Sequence, residues 1–337
     1  MIKSQTMALI NHVCLLMLAI FGLTGALIYT KAVLLPFVFS IFFYAVLTPL
    51  IRLMQSKLKL SKGFAVLLTL MIFLAFFSGM ILILAVSVEE FFQSADLYQE
   101  KIADLIAWSG QKAQVYGYEI NVQVIKKYIL GLPIFSYASN LTGIVFSFLG
   151  NSILVMIFVL FLILGESKNQ ESNSIKEKVV SQISSYIGTK TITSMVTGIL
   201  VGVILFSFDV DLALMFATLT FALNFIPNIG SIVATLLPLP VLVLQFGLGW
   251  KLVAVICLCT VLQATVGNYV EPKMMGESLD LHPVTILLFL MFWGLVWGLA
   301  GLFLAVPITA IVKMIFSRIE TTHVLAEILA GRLPDVR

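Results

Sequence analysis

Eight uncharged, mostly apolar runs divide this 337-residue chain: Met7–Tyr29, Ala32–Ile51, Phe64–Val88, Leu141–Leu164, Thr191–Phe208, Leu212–Phe246, Leu252–Val270 and Pro283–Val312. A helix needs about 20 apolar residues, within a range of about 17–25, to cross the hydrocarbon of a bilayer. In lipid, every backbone polar group must be satisfied within the protein, so runs of this kind are expected to be helices. Composition agrees: 60% of residues are hydrophobic and 11% charged, whereas soluble domains have about 45–50% and about 25%. This excludes a soluble enzyme, a disordered chain and a nucleic-acid-binding domain. The expected fold class is all-α: a polytopic membrane protein with eight hydrophobic segments, two of them broken, plus a small helical extracytoplasmic cap.

The charges lie between the runs and orient them. The Arg52–Lys62 loop carries Arg52, Lys57, Lys59 and Lys62 and no acid, which places it in the cytoplasm by the positive-inside rule. Glu89–Asn140 carries six acids against four lysines and falls outside. Within it Phe91, Tyr98, Ile102, Leu105 and Ile106 recur at helical spacing. Gly165–Lys190 returns to the cytoplasm as a loop whose charges include Lys168, Lys176, Lys178 and Lys190. Its stripe Ile175, Val179, Ile183 and Ile187 is expected to lie along the interface. Lys313, Arg318, Arg332 and Arg337 place the tail inside. Both termini are expected to be cytoplasmic, with the first run a retained signal anchor. The organisation that follows is 1–88, three N-terminal helices; 89–140, the external insert; 141–316, the transmembrane core; and 317–337, the cytoplasmic tail.

Two runs are too long. As one straight helix Leu212–Phe246 would measure about 50 Å, against a hydrocarbon core of roughly 30 Å. It is interrupted at Asn224-Phe-Ile-Pro-Asn-Ile-Gly-Ser231 and again at Pro238 and Pro240. Pro283–Val312 is interrupted by Gly294, Gly298 and Gly301, with Pro307 beyond. Pro238, Pro240, Gly298, Gly301 and Pro307 are therefore candidate hinges or helix breaks. Each long run reads either as one kinked helix or as a re-entrant hairpin of two half-helices. Paired, interrupted segments of this kind point to a transporter's binding site.

Polar residues gather at the same places. Asn224 and Asn228 flank Pro227, Gly230 and Ser231 complete that break, and Gln263, Asn268 and Glu271 lie on or just after the helix joining the two long runs. Thr218, Thr220, Thr235, Thr260 and Thr265 add hydroxyls nearby. By helical spacing Gln263 and Asn268 diverge, whereas Asn268 and Glu271 share a face. An ionisable side chain at the edge of hydrocarbon is a functional candidate, so Glu271 is the expected coupling or gating carboxylate. The plainer alternative is an interfacial ion pair with Lys273. These residues define an expected substrate or ion pathway.

Other chemistry is not indicated. His12, His282 and His323 are scattered, and Cys14, Cys257 and Cys259 lie within apolar runs without metal-ligand spacing. No cofactor or metal is expected. The chain carries no P-loop, metalloprotease or serine-hydrolase signature, so it is not expected to be an enzyme. Gly198 and Gly202 form a Gly-x-x-x-Gly pattern that permits close helix packing, within one chain or between protomers.

Phe225-Ile-Pro-Asn-Ile-Gly-Ser231 resembles the Phe-Ile-Pro-Tyr-Ile-Gly-Pro signature of the autoinducer-2 exporter family of bacterial permeases. Asn268-Tyr-Val-Glu-Pro-Lys-Met-Met-Gly-Glu-Ser-Leu-Asp-Leu-His-Pro283 resembles that family's second signature, and Phe292-Trp-Gly with Gly301-Leu-Phe-Leu-Ala-Val-Pro-Ile-Thr309 continues it. Asn228 and Ser231 depart from the pattern, where tyrosine and proline are usual. The resemblance implies a bacterial inner-membrane protein, points toward a homo-oligomer, and suggests export of autoinducer-2 or sodium–proton antiport. The expected function is a secondary transporter moving a small polar solute, coupled to protons or sodium. The alternatives are a sodium–proton antiporter and a non-transporting scaffold that binds a partner through its external cap. Expected partners are that solute or ion and the lipid bilayer, with no nucleic acid.

Overall fold

The computed structural model describes residues 2–93, 98, 100–103, 107, 152–165, 174–275 and 281–332. Most of the expected external insert at 89–140, the start of the fourth apolar run, residues 166–173 and the end of the tail lie outside the described residues. The helices are α1 (Ile2–Tyr29), α2 (Lys31–Lys57), α3 (Lys62–Gln93), α4 (Ser152–Leu164), α5 (Ser174–Ser207), α6 (Ala213–Leu223), α7 (Ile229–Leu236), α8 (Leu239–Phe246) and α9 (Trp250–Thr265). A π-turn over Val266–Val270 joins α9 to α10 (Glu271–Met275), and α11 (Pro283–Phe316) and α12 (His323–Leu329) follow. There is no strand among the described residues.

Among the described residues, six helical stretches are long and apolar enough, by length and composition, to cross a bilayer: Lys31–Lys57, Lys62–Phe91, Ser181–Ser207, Ile229–Phe246, Trp250–Met274 and Pro283–Phe316. Met17–Tyr29, Ser152–Leu164 and Ala213–Leu223 are shorter apolar helices. The expected run from Leu212 to Phe246 divides into α6 and the α7–α8 pair. Large apolar side chains stand exposed along these helices, among them Phe21, Leu67, Val261, Met291 and Leu295. A surface this apolar suits lipid, not water.

The chain forms two compact units: one comprises Met1–Leu50, Asn151–Ile187 and Glu277–Arg337, the other Ile51–Gly150 and Gly188–Gly276. In the first, Trp297 Nε1 donates to the Leu27 carbonyl at 3.0 Å, Ser184 Oγ to the Ala45 carbonyl at 2.9 Å, and the Phe42 and Phe303 rings lie 5.3 Å apart. Helix α11 leaves helical geometry at Gly298 (φ 62°, ψ −140°). A Cβ placed on Gly301 would fall on the Trp293 carbonyl, and one on Gly294 would lie 2.8 Å from Leu302 Cδ2. In a straight helix such residues, eight apart, would be about 12 Å from each other. The chain therefore doubles back at Gly298, and these glycines let the two arms touch.

The second unit repeats the device with other residues. Helix α6 ends at Leu223 and α7 begins at Ile229 after Asn228, whose φ is 60°. A Cβ on Gly230 would fall on the Leu223 carbonyl. At both breaks the chain folds back as a hairpin, so neither long run is one straight helix. Val201, Leu205, Phe216, Leu242 and Val255 form the apolar core between α5, α6, α8 and α9. The Gly198/Gly202 pair is used inside this unit: a Cβ at Gly198 would sit 3.0 Å from the Ala217 carbonyl, and one at Gly202 3.1 Å from Ala217 Cβ.

Helix α5 differs from the sequence reading. Residues 174–190 are not a loop but the first half of one continuous helix. Ile183, Ile187, Lys190, Ser194, Thr197, Val201 and Leu205 are all buried, at successive spacings of three or four that make one helical face.

Candidate functional site in the second unit

Lys190 lies on that buried face, 3% exposed. Its ammonium donates to Glu271 Oε2 at 2.6 Å and to the Asn224 carbonyl at 3.1 Å. Thr193, one turn along α5, donates to the other carboxylate oxygen, Oε1, at 3.3 Å. Three elements meet here: α5, the C-terminal end of α6, and the start of α10. The partner of Glu271 is thus Lys190 and not the sequence neighbour Lys273. Lys190 itself is no loop charge. A buried charge is tolerable when paired and hydrogen-bonded, and this pairing joins residues far apart in sequence.

Local chemistry explains why these groups are free to meet. Asn224 caps α6, where backbone carbonyls lack helical partners. Pro227, three residues on, has no N–H with which to close a turn onto the Asn224 carbonyl. The π-turn orients the other side of the site. Over an unbroken α-helix, Gln263 and Glu271 would point about 80° apart; the extra residue of a π-turn cuts this to about 20°. Gln263 and Glu271 are accordingly both buried, at 6% and 9% exposure. Asn268, inside the π-turn, is exposed and does not share the face of Glu271.

In the same unit, several buried polar atoms have no hydrogen-bond partner among the described residues: Ser194 Oγ, Thr220 Oγ1, Asn224 Nδ2, and Nε2 and Oε1 of Gln263. Helices α5 and α6 run antiparallel, with Lys190 at Asn224 and Gly198 at Ala217 and Phe221, so Ser194 and Thr197 lie level with Thr220. Each such group, left unmet, costs about 1–3 kcal/mol. The set offers two hydroxyls, amide donors and one amide acceptor in the unit that holds the charge pair.

The structure brings Asn224 and Glu271 together. Pro227 is half-buried and Gly230 buried in the turn below, while Asn228 is exposed and Ser231 Oγ bonds back to the Asn228 carbonyl at 2.9 Å. Pro238 is buried and Pro240 exposed at the α7–α8 junction. Gly298, Gly301 and Pro307 belong to the other unit, the first exposed and the others buried. Sequence reasoning missed Lys190, Thr193 and Ser194. The signal was present: the stripe through Ile183 and Ile187 continues through 190, 194 and 197 without changing period.

At the other end of α5, Tyr98 donates to Asp211 Oδ2 at 3.1 Å, and Gln245 Nε2 donates to Asp211 Oδ1 at 3.2 Å and to the Asp209 carbonyl at 2.6 Å. Burial, and after it the Asp211 carboxylate, pushes the Tyr98 phenol well above its ordinary value.

Long apolar helices, two doubled-back hairpins and a buried polar centre define a polytopic, α-helical membrane protein. The AI-2E family transporter profile matches residues 15–321, and the chain belongs to that family. It is 25% identical to the AI-2 transport protein TqsA of Escherichia coli K12 over 90% of both chains. It is 38% identical to a "Putative transport protein" of Borreliella burgdorferi over 37% of this chain and 34% of that one. It is 34% identical to the "Putative transport protein YhhT" of Escherichia coli K12 over 38% of this chain and 36% of that one. The chain thus spans about a third of the length of the last two relatives and nine-tenths of the first.

Proposed function

We propose that this chain is a secondary transporter that moves a small polar solute across the bacterial inner membrane, coupled to protons or sodium ions through Glu271. The observation that carries this reading is the set of buried polar atoms on Ser194, Thr220, Asn224 and Gln263, unpartnered among the described residues, in the unit that holds the Lys190–Glu271 pair. A fold keeps such costs where a ligand meets them. Autoinducer-2, the molecule in the name of TqsA, is the first cargo to test. The hairpin turns at Pro227–Ser231 and Gly298–Gly301 and the prolines Pro238, Pro240 and Pro307 serve as the points where helices shift between access states. Both termini lie in the cytoplasm, and the protein works as a homo-oligomer.

The test is a proteoliposome assay with an internal pH dye and an imposed proton gradient, with sodium or autoinducer-2 added separately. Wild type should give a response to cargo or ion, and Glu271→Gln should lose it while eluting as folded protein. A response that survives in Glu271→Gln removes Glu271 from the pathway. No response from folded wild type removes coupled transport.

A further inference from the structure

The position of the Lys190 ammonium has the chemistry of a monovalent-cation site. Its Nζ is met by a carboxylate oxygen of Glu271 at 2.6 Å and a backbone carbonyl, that of Asn224, at 3.1 Å. The second carboxylate oxygen is held by the Thr193 hydroxyl. Carboxylates and carbonyls are the ligands hard cations prefer. The carbonyl comes from the C-terminal end of a helix of 11 residues, where the helix dipole is negative and favours a cation. Ends of interrupted half-helices coordinate ions in other transporters in this way. Here the carbonyl is available because residue 227 is a proline, without an N–H to claim it.

We propose that Lys190 is a tethered cation occupying a latent alkali-ion site formed by Glu271 and the Asn224 carbonyl, with Thr193 orienting the carboxylate, so that the chain takes no sodium or potassium there while Lys190 is present. The inference rests on the reading of Glu271 as the coupling carboxylate and narrows it: sodium is not the ion at this carboxylate. The ammonium supplies one positive charge at the end of a side chain anchored on α5. Truncating that side chain leaves the oxygens, the buried charge of Glu271 and a space the size of the lost group. A free alkali ion then has both the ligands and the charge balance to enter.

The experiment measures thermal unfolding of the full chain in detergent with NaCl, KCl or choline chloride at equal ionic strength. Wild type should melt at the same temperature in all three. Lys190→Ala should melt lower than wild type in choline and gain about 2–4 °C, saturably, in NaCl or KCl; Lys190→Ala/Glu271→Gln should show no such gain. A folded Lys190→Ala indifferent to all three salts overturns the proposal, as does its failure to fold in both alkali chlorides. Wild type and Glu271→Gln give a decision without that variant: a sodium- or potassium-specific stabilisation of wild type, absent from Glu271→Gln, also overturns it. The assay reads cation binding without cargo. If it fails while Glu271-dependent transport persists, only the tethered cation is lost; if transport fails while the salt response holds, only the transport reading is lost.

Discussion

Lys190 and Glu271, 81 residues apart in sequence, hold each other at 2.6 Å inside the second unit, each almost closed off from solvent. The pair ties α5 to the turn that follows the π-distortion, and through the Asn224 carbonyl it ties both to the end of α6. Stability and function therefore converge on one contact, and substitutions can separate them.

Removing one partner should cost more than removing both. Lys190→Met leaves a buried carboxylate uncompensated and should destabilise by about 3–5 kcal/mol. The double variant Lys190→Met/Glu271→Leu replaces two charges with apolar volume, and its melting temperature should recover most of that loss. It should remain silent in the proteoliposome assay. Thermal unfolding in detergent reads the first effect and the dye assay the second. A double variant no more stable than Lys190→Met would show that the pair is not energetically coupled.

The two hairpins should be intolerant of a single methyl group. At Gly230 and Gly301 an added Cβ meets a backbone carbonyl, which has no rotamer by which to move away. Gly230→Ala and Gly301→Ala should each lower the melting point by several degrees. At Gly298 the surrounding space is open, yet its dihedrals are a region that residues with a Cβ rarely enter. Gly298→Ala should cost about 1–3 kcal/mol through backbone strain alone. Gly25→Ala, also with nothing nearby but within α1, serves as the control and should be neutral or slightly stabilising.

Tyr98 should titrate late. Burial first, then Asp211, holds its phenol above the ordinary value near 10. Because the folded state holds this proton more tightly than the unfolded chain, the contribution to stability is complete below about pH 10. It is lost as pH rises from there through the folded-state value. The ultraviolet difference titration between wild type and Tyr98→Phe should isolate one late phenol. Asp211→Asn should bring that transition down without abolishing the shift, since burial remains. A Tyr98 transition at the ordinary position would remove the contact.

Much of the molecule was legible in one dimension. Charge-free runs of about 20 residues state the all-α, polytopic class, because an unbroken apolar segment of that length satisfies its own backbone in hydrocarbon as a helix, whereas barrel strands are about half as long and alternate. Excess length marked 212–246 and 283–312 as interrupted, and proline and glycine marked where. Whether those breaks were kinks or hairpins was not legible. That depends on whether the second arm can lie against the first, which the carbonyls of Leu223 and Trp293 decide by accepting contact with glycines.

The candidate site was half visible. Asn224, Gln263 and Glu271 stood out as polar residues in apolar surroundings. Asn268 was grouped with Glu271 by ideal helical spacing, and the π-turn between Val266 and Val270 breaks that spacing, leaving Asn268 exposed and Gln263 and Glu271 both buried.

The sequence by itself determined that this chain lives in a bilayer, where its helices must break, and which family's signatures it carries. These follow from local quantities: run length, backbone chemistry and motif spacing. Only the tertiary structure decided the role of Lys190. A lysine at the edge of an apolar run reads as a loop charge, since burying it alone is prohibitive. What makes its burial affordable is a carboxylate, a carbonyl and a hydroxyl, two of them distant in sequence, and no local pattern announces such a meeting.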